Sequence, residues 1–311
     1  MSPRKKTLVV ILGETREHEL AFDSFKKNVL NVLEADLCLC IGIPNRYDIR
    51  NPYYNGAKFR FTYPEPDDYA TAFDFAAKHI LHGRADMEVF QGQVMKRTPW
   101  RNFLKIEGQF MGGIRDESHE HPGSAGILLF YRWYLLKNLR ENNLISQYDS
   151  FVITRSDFIY ALPHPSLDHL NQKYIWIPHG ESYGGITDRH AIVPSRFIES
   201  YLDILDQMML QSNQYYSEMS AKPGWNLEQV IKFHLEQHGL LTSLRRFPYV
   251  MYSVRSKDGT TRWSRGQWHP SLGYFIKYPK EYSGAMWFQN AFKSSQLTLY
   301  DFYRNMIQTN G

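Results

Sequence analysis

The first strong pattern in the chain is an unbroken apolar run, Leu8-Val9-Val10-Ile11-Leu12, ended by Gly13. Short continuous runs of this kind, rich in β-branched residues, belong to strands buried on both faces. Residues 21–34 then place Phe22, Phe25, Val29, Leu30 and Leu33 on one helical stripe. Residues 37–43 form a second apolar run, closed by Pro44. The chain therefore opens β–α–β, the start of a parallel α/β sheet. Residues 46–63 are rich in Tyr, Asn, Pro and Gly and read as loop, and residues 67–82 read as helix. Residues 83–123 show weak periodicity, with many Gly and polar residues, which predicts short elements and a mobile loop.

The middle of the chain is more regular. Residues 124–142 form the clearest helix, with Leu128, Leu135, Leu136 and Leu139 on one face. Arg132 falls on that same face, where a charge is costly unless it is paired, meets an anion, or snorkels out along its stem. Residues 151–154 read as a buried strand that ends in Arg155-Ser156-Asp157, and residues 174–177 as a strand that ends in Pro178-His179-Gly180. A short strand at 191–193, a helix at 195–210, a helix at 225–238 with Asn226 as N-cap, and a late strand at 247–254 complete the pattern.

Composition narrows the class. The 311 residues hold 36 Lys or Arg against 32 Asp or Glu, a net charge of +4, too near neutral for a nucleic-acid coat or a polybasic membrane anchor. A hydrophobic share of 43% is that of a folded globular chain. No run approaches the ~18 apolar residues of a membrane-spanning helix. The basic start at Arg4-Lys5-Lys6 precedes only five apolar residues and no cleavage signal, so the expectation is a cytoplasmic protein. Cys38 and Cys40 share one strand face, cannot form an ordinary disulfide, and read as buried reduced thiols. The charge is uneven: residues 245–311 hold ten Lys or Arg against three Asp or Glu, with 15 aromatics. We therefore expect one region over residues 1–244 and a basic aromatic C-terminal extension over 245–311, packed on the same domain.

Ligands of open α/β sheets bind beyond the carboxyl ends of the strands. That rule selects Gly13-Glu14-Thr15-Arg16, Arg155-Ser156-Asp157, and the stretch from His179 to Arg189. Gly13 would let backbone approach a ligand, and Arg16 would pair with phosphate. The plainer alternatives are an ordinary βα turn at Gly13 and a turn-capping role for Asp157. G-x-G-x-x-G, the P-loop, G-x-S-x-G and H-E-x-x-H are all missing, which argues against dehydrogenases, P-loop enzymes, α/β-hydrolases and zincins.

Three segments carry a family resemblance. The stretch Tyr148-Asp149-Ser150-Phe151-Val152-Ile153-Thr154-Arg155-Ser156-Asp157 resembles the "YD-x-hydrophobic-x-x-x-R-x-D" segment of certain GT-A-fold glycosyltransferases. Tyr131-Arg132-Trp133-Tyr134 is similar to the tryptophan-bearing helix that precedes it, and Gly184-Gly185-Ile186-Thr187-Asp188-Arg189 to the "GG-x-x-D-R" segment that follows. Such proteins occur in bacterial polysaccharide clusters and in large algal viruses that glycosylate their own capsids. The resemblance implies a GT-A-like, Rossmann-related fold with a mostly parallel central sheet flanked by helices. It also implies a nucleotide-sugar donor, with UDP and a pentose such as xylose, or a hexose, as expectations. An oligosaccharide or glycoprotein would be the acceptor, in a host cytoplasm if the chain is viral.

On this reading Gly13, Glu14, Thr15, Arg16, Arg132, Arg155, Asp157, Gly184 and Gly185 would bind the donor. Asp157 with His269, or with His179, would hold Mn²⁺ or Mg²⁺. The family's metal motif is Asp-x-Asp, and Arg155 stands here in the first position. Inverting chemistry needs a carboxylate base, for which Asp188 and Glu228 are the candidates. The Trp225-Asn226-Leu227-Glu228 segment resembles the acceptor-and-base segment of some inverting galactosyltransferases. Two readings compete: a nucleotide or single-stranded nucleic-acid binding module that uses the basic aromatic tail, and a methyltransferase on a doubly wound sheet.

Overall fold

The computed structural model describes residues 6–82, 99–115, 121–259, 261 and 264–308. Most of the loop expected within residues 83–123 lies outside the described residues, as do Arg4 and Lys5.

The apolar runs assemble as their pattern predicts. Strands β1 (Thr7–Gly13) and β2 (Asp36–Ile43) flank the helix that begins at His18–Phe25, passes through a π turn at Lys26–Leu30 and ends at Asn31–Leu33. A short helix (Pro52–Gly56) leads to β3 (Phe59–Pro64), and helices at Ala70–His82 and Ala125–Glu141 precede β4 (Ser150–Thr154). Then come β5 (Phe158–Tyr160), β6 (Ile175–Pro178) and β7 (Ala191–Pro194). Helices Ser195–Leu202, Ile204–Leu210, Ser212–Ser220 and Leu227–Gln237 lead to β8 (Leu244–Phe247) and β9 (Met251–Arg255). Short strands β10 (Gln267–His269) and β11 (Tyr274–Ile276) precede the last two helices, Pro279–Ser294 and Leu299–Gln308.

The main sheet has seven strands in the order β3-β2-β1-β4-β7-β6-β8. All run parallel except β7, which is antiparallel to β4 and β6. Register places Val9 opposite both Leu37 and Val152. A second, antiparallel sheet runs β10-β11-β9-β5. The fold is thus mixed α/β, with a mostly parallel central sheet flanked by helices.

Alternation along the central strands divides the core between the two sheet faces. Leu8, Val10, Leu12, Cys38 and Cys40 pack under the Ala125–Glu141 helix with Leu129, Leu135 and Leu136. Val9, Ile11, Leu37, Leu39 and Ile41 pack on the other face with Phe25, Val29 and Tyr53. Phe302 and Tyr303 of the last helix join that second face, so the basic extension helps build the core. Strand β8 crosses position 245 without a break.

Three sequence expectations change. Residues 46–63 are not all loop: they hold the Pro52–Gly56 helix and most of β3. As an edge strand β3 is buried on one face, so it alternates Phe59, Phe61 and Tyr63 with Arg60 and Thr62 rather than running apolar. The helix expected over 195–210 breaks at Asp203. The single late strand is two, because Pro248 lies where the chain leaves β8 in the main sheet for β9 in the second. Among the described residues no helix is long and apolar enough to cross a membrane.

Cys38 and Cys40 are free thiols with no exposed surface, and burial raises the pKa of both. A thiol-reactive disulfide reagent is therefore expected to leave both unmodified in the native protein and to titrate both in denaturant. Fast reaction of either thiol under native conditions would contradict this packing.

Candidate active site

The carboxyl ends of β1 and β4 meet at one cleft. Ser156, just after β4, donates through Oγ to the carbonyls of Glu14 and Arg16, at 3.0 Å each, and so ties the two loops together. Gly13 ends β1 at φ 95°, a conformation that favours glycine, and a Cβ there would stand 3.2 Å from Leu128. The cleft has a main cavity of about 400 Å³ and an adjoining one of about 50 Å³. Arg16, Ser124, Leu128, Arg155 and Asp188 line both. Glu228, Lys277, Tyr278, Tyr183 and Asn226 complete much of the larger one.

Asp157 organises the floor. Its side chain is 1% exposed, and its carboxylate accepts from Arg155 through Nε at 3.1 Å and Nη2 at 3.0 Å. Fully buried Arg255, at the end of β9, donates through Nη1 to the same Oδ2 that Arg155 Nη2 reaches. Burial pushes the Asp157 pKa up, but Arg155, Arg255 and Arg16 outweigh it and hold the group well below the usual carboxylate range. The second sheet supplies this clamp: β5 begins at the next residue, and the Val254 amide donates to the Asp157 carbonyl. It also brings Lys277, one residue past β11, to the cavity.

The two base candidates stand together. Glu228 lies in the first turn of the Leu227–Gln237 helix, whose capping box pairs Asn226 and Gln229 reciprocally. Asn226 also donates to the Tyr183 carbonyl, and the Ile186 amide donates to the Glu228 carbonyl at 2.9 Å. Burial, and then the nearby Asp188 charge, raise the Glu228 pKa to about 7.

The other residues expected to bind the donor have these surroundings, with Gly13 and Glu14 lining the smaller cavity. A Cβ on Gly185 would meet the Glu228 carbonyl at 2.0 Å, so this glycine permits close packing of the 183–186 loop on the helix that carries Glu228. Neither Gly184 nor Gly185 lines the cavities. Thr15 hydrogen-bonds Tyr47 and Asn51 and holds the loop, while Glu14 pairs with Arg16 at 2.7 Å. Arg132 neither snorkels nor enters the cleft. It is fully buried, stacks 5.0 Å from the Tyr201 ring centre, and places Nη2 3.5 Å from the Asp188 carbonyl.

The same geometry shows what surrounds each expected metal ligand. Both oxygens of Asp157 accept from guanidiniums, Oδ1 from Arg155 and Oδ2 from Arg155 and Arg255, and with Arg16 also nearby a cation there would meet an unfavourable potential. His269 bonds Ser271 and packs on Tyr282, and His179 donates its amide to Phe247; neither lines the cavities. Among the described residues the donor set compatible with a divalent metal is Asp203, His234 and His238, within 4.8 Å of one another. None of the three lines the cleft, and His234 also bonds Tyr215 and the Ser200 carbonyl.

Lys277, Tyr278 and Arg255 were missed in the sequence. They follow or end strands of three to five residues in the tail, and only the tail's excess charge pointed there.

No protein-family model matches the chain, and a search of curated proteins finds no match. Among solved structures, mouse xyloside xylosyltransferase 1 in its apo form is similar at 8% identity. That likeness covers 78% of this chain and 85% of the mouse chain, with a TM-score of 0.35. Core-mannan synthase A from Aspergillus fumigatus, in its Mn/GDP form, is 7% identical. There the coverage is 91% of this chain and 86% of that one, with a TM-score of 0.39.

Removing one member of a buried charge cluster strands the others. Asp157→Asn is expected to lower stability by about 3–5 kcal/mol in chemical denaturation, because Arg155 and Arg255 lose their shared anion. Wild-type stability in that variant would contradict the clamp.

Proposed function

We propose that the cleft is the active site of a glycosyltransferase that moves one sugar from a nucleoside-diphosphate donor, with UDP as the first candidate, to a glycan hydroxyl. The observation that carries this reading is the division of one cavity between cations and carboxylates. Arg16, Arg155 and Lys277 line it together with Asp188 and Glu228. The sequence segments around Arg155, Asp157 and Asp188, similar to those of GT-A glycosyltransferases, support the same reading.

The chemistry follows from that division. The acceptor oxygen bonds to the anomeric carbon as the bond from that carbon to the diphosphate oxygen breaks. The leaving diphosphate takes the electron pair, and the cations stabilise the charge that develops there. Glu228 accepts the hydroxyl proton, and a pKa near 7 suits that task. Asp188 adds the charge that helps keep Glu228 basic. Attack from the face opposite the leaving group inverts the anomeric centre. Tyr183 and Tyr278 supply aromatic surface for sugar rings.

A thermal-shift panel of UDP, GDP, CMP and S-adenosylmethionine tests the donor site by mass action. A nucleoside diphosphate is expected to raise Tm. No shift with any of them at about millimolar concentration, or a shift with S-adenosylmethionine alone, would overturn the reading.

Glu228 must be ionised to act as base. With a nucleotide-sugar that is turned over, kcat at saturating donor is therefore expected to rise with pH through about 7. Glu228→Gln should lose about 10²–10⁴-fold in rate together with that limb of the profile. An unchanged profile in Glu228→Gln would assign the base elsewhere.

A further inference from the structure

At one end of the cleft several cations crowd round a single carboxylate. Arg16, Arg155 and Arg255 converge on the single carboxylate of Asp157, and Lys277 stands beside them. Arg255 is sealed behind the floor, whereas Arg16, Arg155 and Lys277 line the main cavity. Glu14 partly offsets Arg16. Lys277 has no hydrogen bond or ion pair through its ammonium among the described residues; its Nζ stands 5.4 Å from the centre of the Tyr278 ring. An ammonium set without a partner next to guanidiniums is held in place at an electrostatic cost, which an incoming anion would reverse.

We propose that Arg16, Arg155 and Lys277 bind the donor diphosphate directly, in place of a divalent cation, with Asp157 serving to position the guanidiniums rather than to hold a metal. This rests on the donor-site reading above. A diphosphate supplies the oxygens that guanidinium forks and an ammonium match. A divalent cation in the same place would face three or four positive groups.

Lys277 is the responsive member. Burial, and then Arg155 and Arg255, lower its pKa to about 7, with Arg16 adding to the effect and Asp157 opposing it. Tyr278 packs beside it, while Asp188 and Glu228 share the cavity. A bound diphosphate places negative charge next to the amine and favours its charged form, so binding above neutral pH draws a proton from solvent.

The test is calorimetric titration of UDP, and of GDP where UDP does not bind, into the full chain at pH 8. One sample is stripped with EDTA, desalted and kept in chelator, and a second contains Mn²⁺. Comparable affinity in both is expected. Repeating the titration in buffers of different ionisation enthalpy should show uptake of roughly one proton. Lys277→Met, a substitution that keeps the stem's packing, should weaken UDP about ten- to a hundred-fold and abolish the uptake. A second variant, Arg16→Met, should weaken UDP but leave the uptake in place. Binding only in the Mn²⁺ sample would overturn this proposal and leave the donor reading standing. Binding in chelator that Lys277→Met leaves untouched would overturn the assignment of Lys277. No binding of UDP or GDP in either sample would overturn the donor reading itself.

Discussion

Asp157 carries one negative charge into the interior at the point where two sheets meet, and the rest of the site depends on how that charge is shared. Arg155 reaches it from the end of the main sheet's central strand, and Arg255 reaches it from the second sheet. Neither guanidinium could be buried this deeply without it, since an unpaired interior charge costs several kcal/mol. The clamp therefore joins the two sheets electrostatically where the backbone joins them covalently. It also fixes the part of Arg155 that faces the cavity. A ligand anion then meets cations already oriented, which lowers the ordering cost of binding.

Around this clamp the loops that line the cleft are held to one another and to the helix that carries Glu228. Ser156 ties the turn after β1 to the turn after β4. Gly185 lets its loop press on the Glu228 backbone, and the capping box sets the direction of the helix that presents Glu228. Burial, and then the charge of Asp188, push Glu228 toward neutrality at physiological pH. Cations and carboxylates divided over one cavity are what a reaction with an anionic leaving group and a hydroxyl nucleophile requires.

Much of this was legible in the sequence, for identifiable reasons. β1, β2 and β4 are buried on both faces, so they announce themselves as apolar runs, and the polar residues just past β1 and β4 mark the cleft. Arg16, Arg155, Asp188 and Glu228 all line it. What the sequence hid was partnership. Asp157 at a strand end looks the same whether it faces a metal or two arginines, and Arg255 lies 98 residues away. Gly184 and Gly185 were expected to bind the donor, and the close packing that Gly185 permits was not legible because a glycine's reason shows only in what its missing Cβ would strike. Lys277 follows a strand of three residues, too short to register as a pattern. Edge strand β3 was missed because one-sided burial gives alternation rather than a run.

The central claim is spatial: one cleft holds the diphosphate against its cations and the reacting carbon near its carboxylates. A crystal structure with UDP, or with the nucleoside diphosphate that stabilises the protein best, tests it most directly. The account predicts diphosphate oxygens within hydrogen-bond distance of Arg16, Arg155 and Lys277, with the terminal phosphate directed toward Asp188 and Glu228. A nucleotide bound outside this cleft, or a diphosphate held through a metal ion on Asp157 with the Arg155 and Arg255 contacts broken, would contradict it.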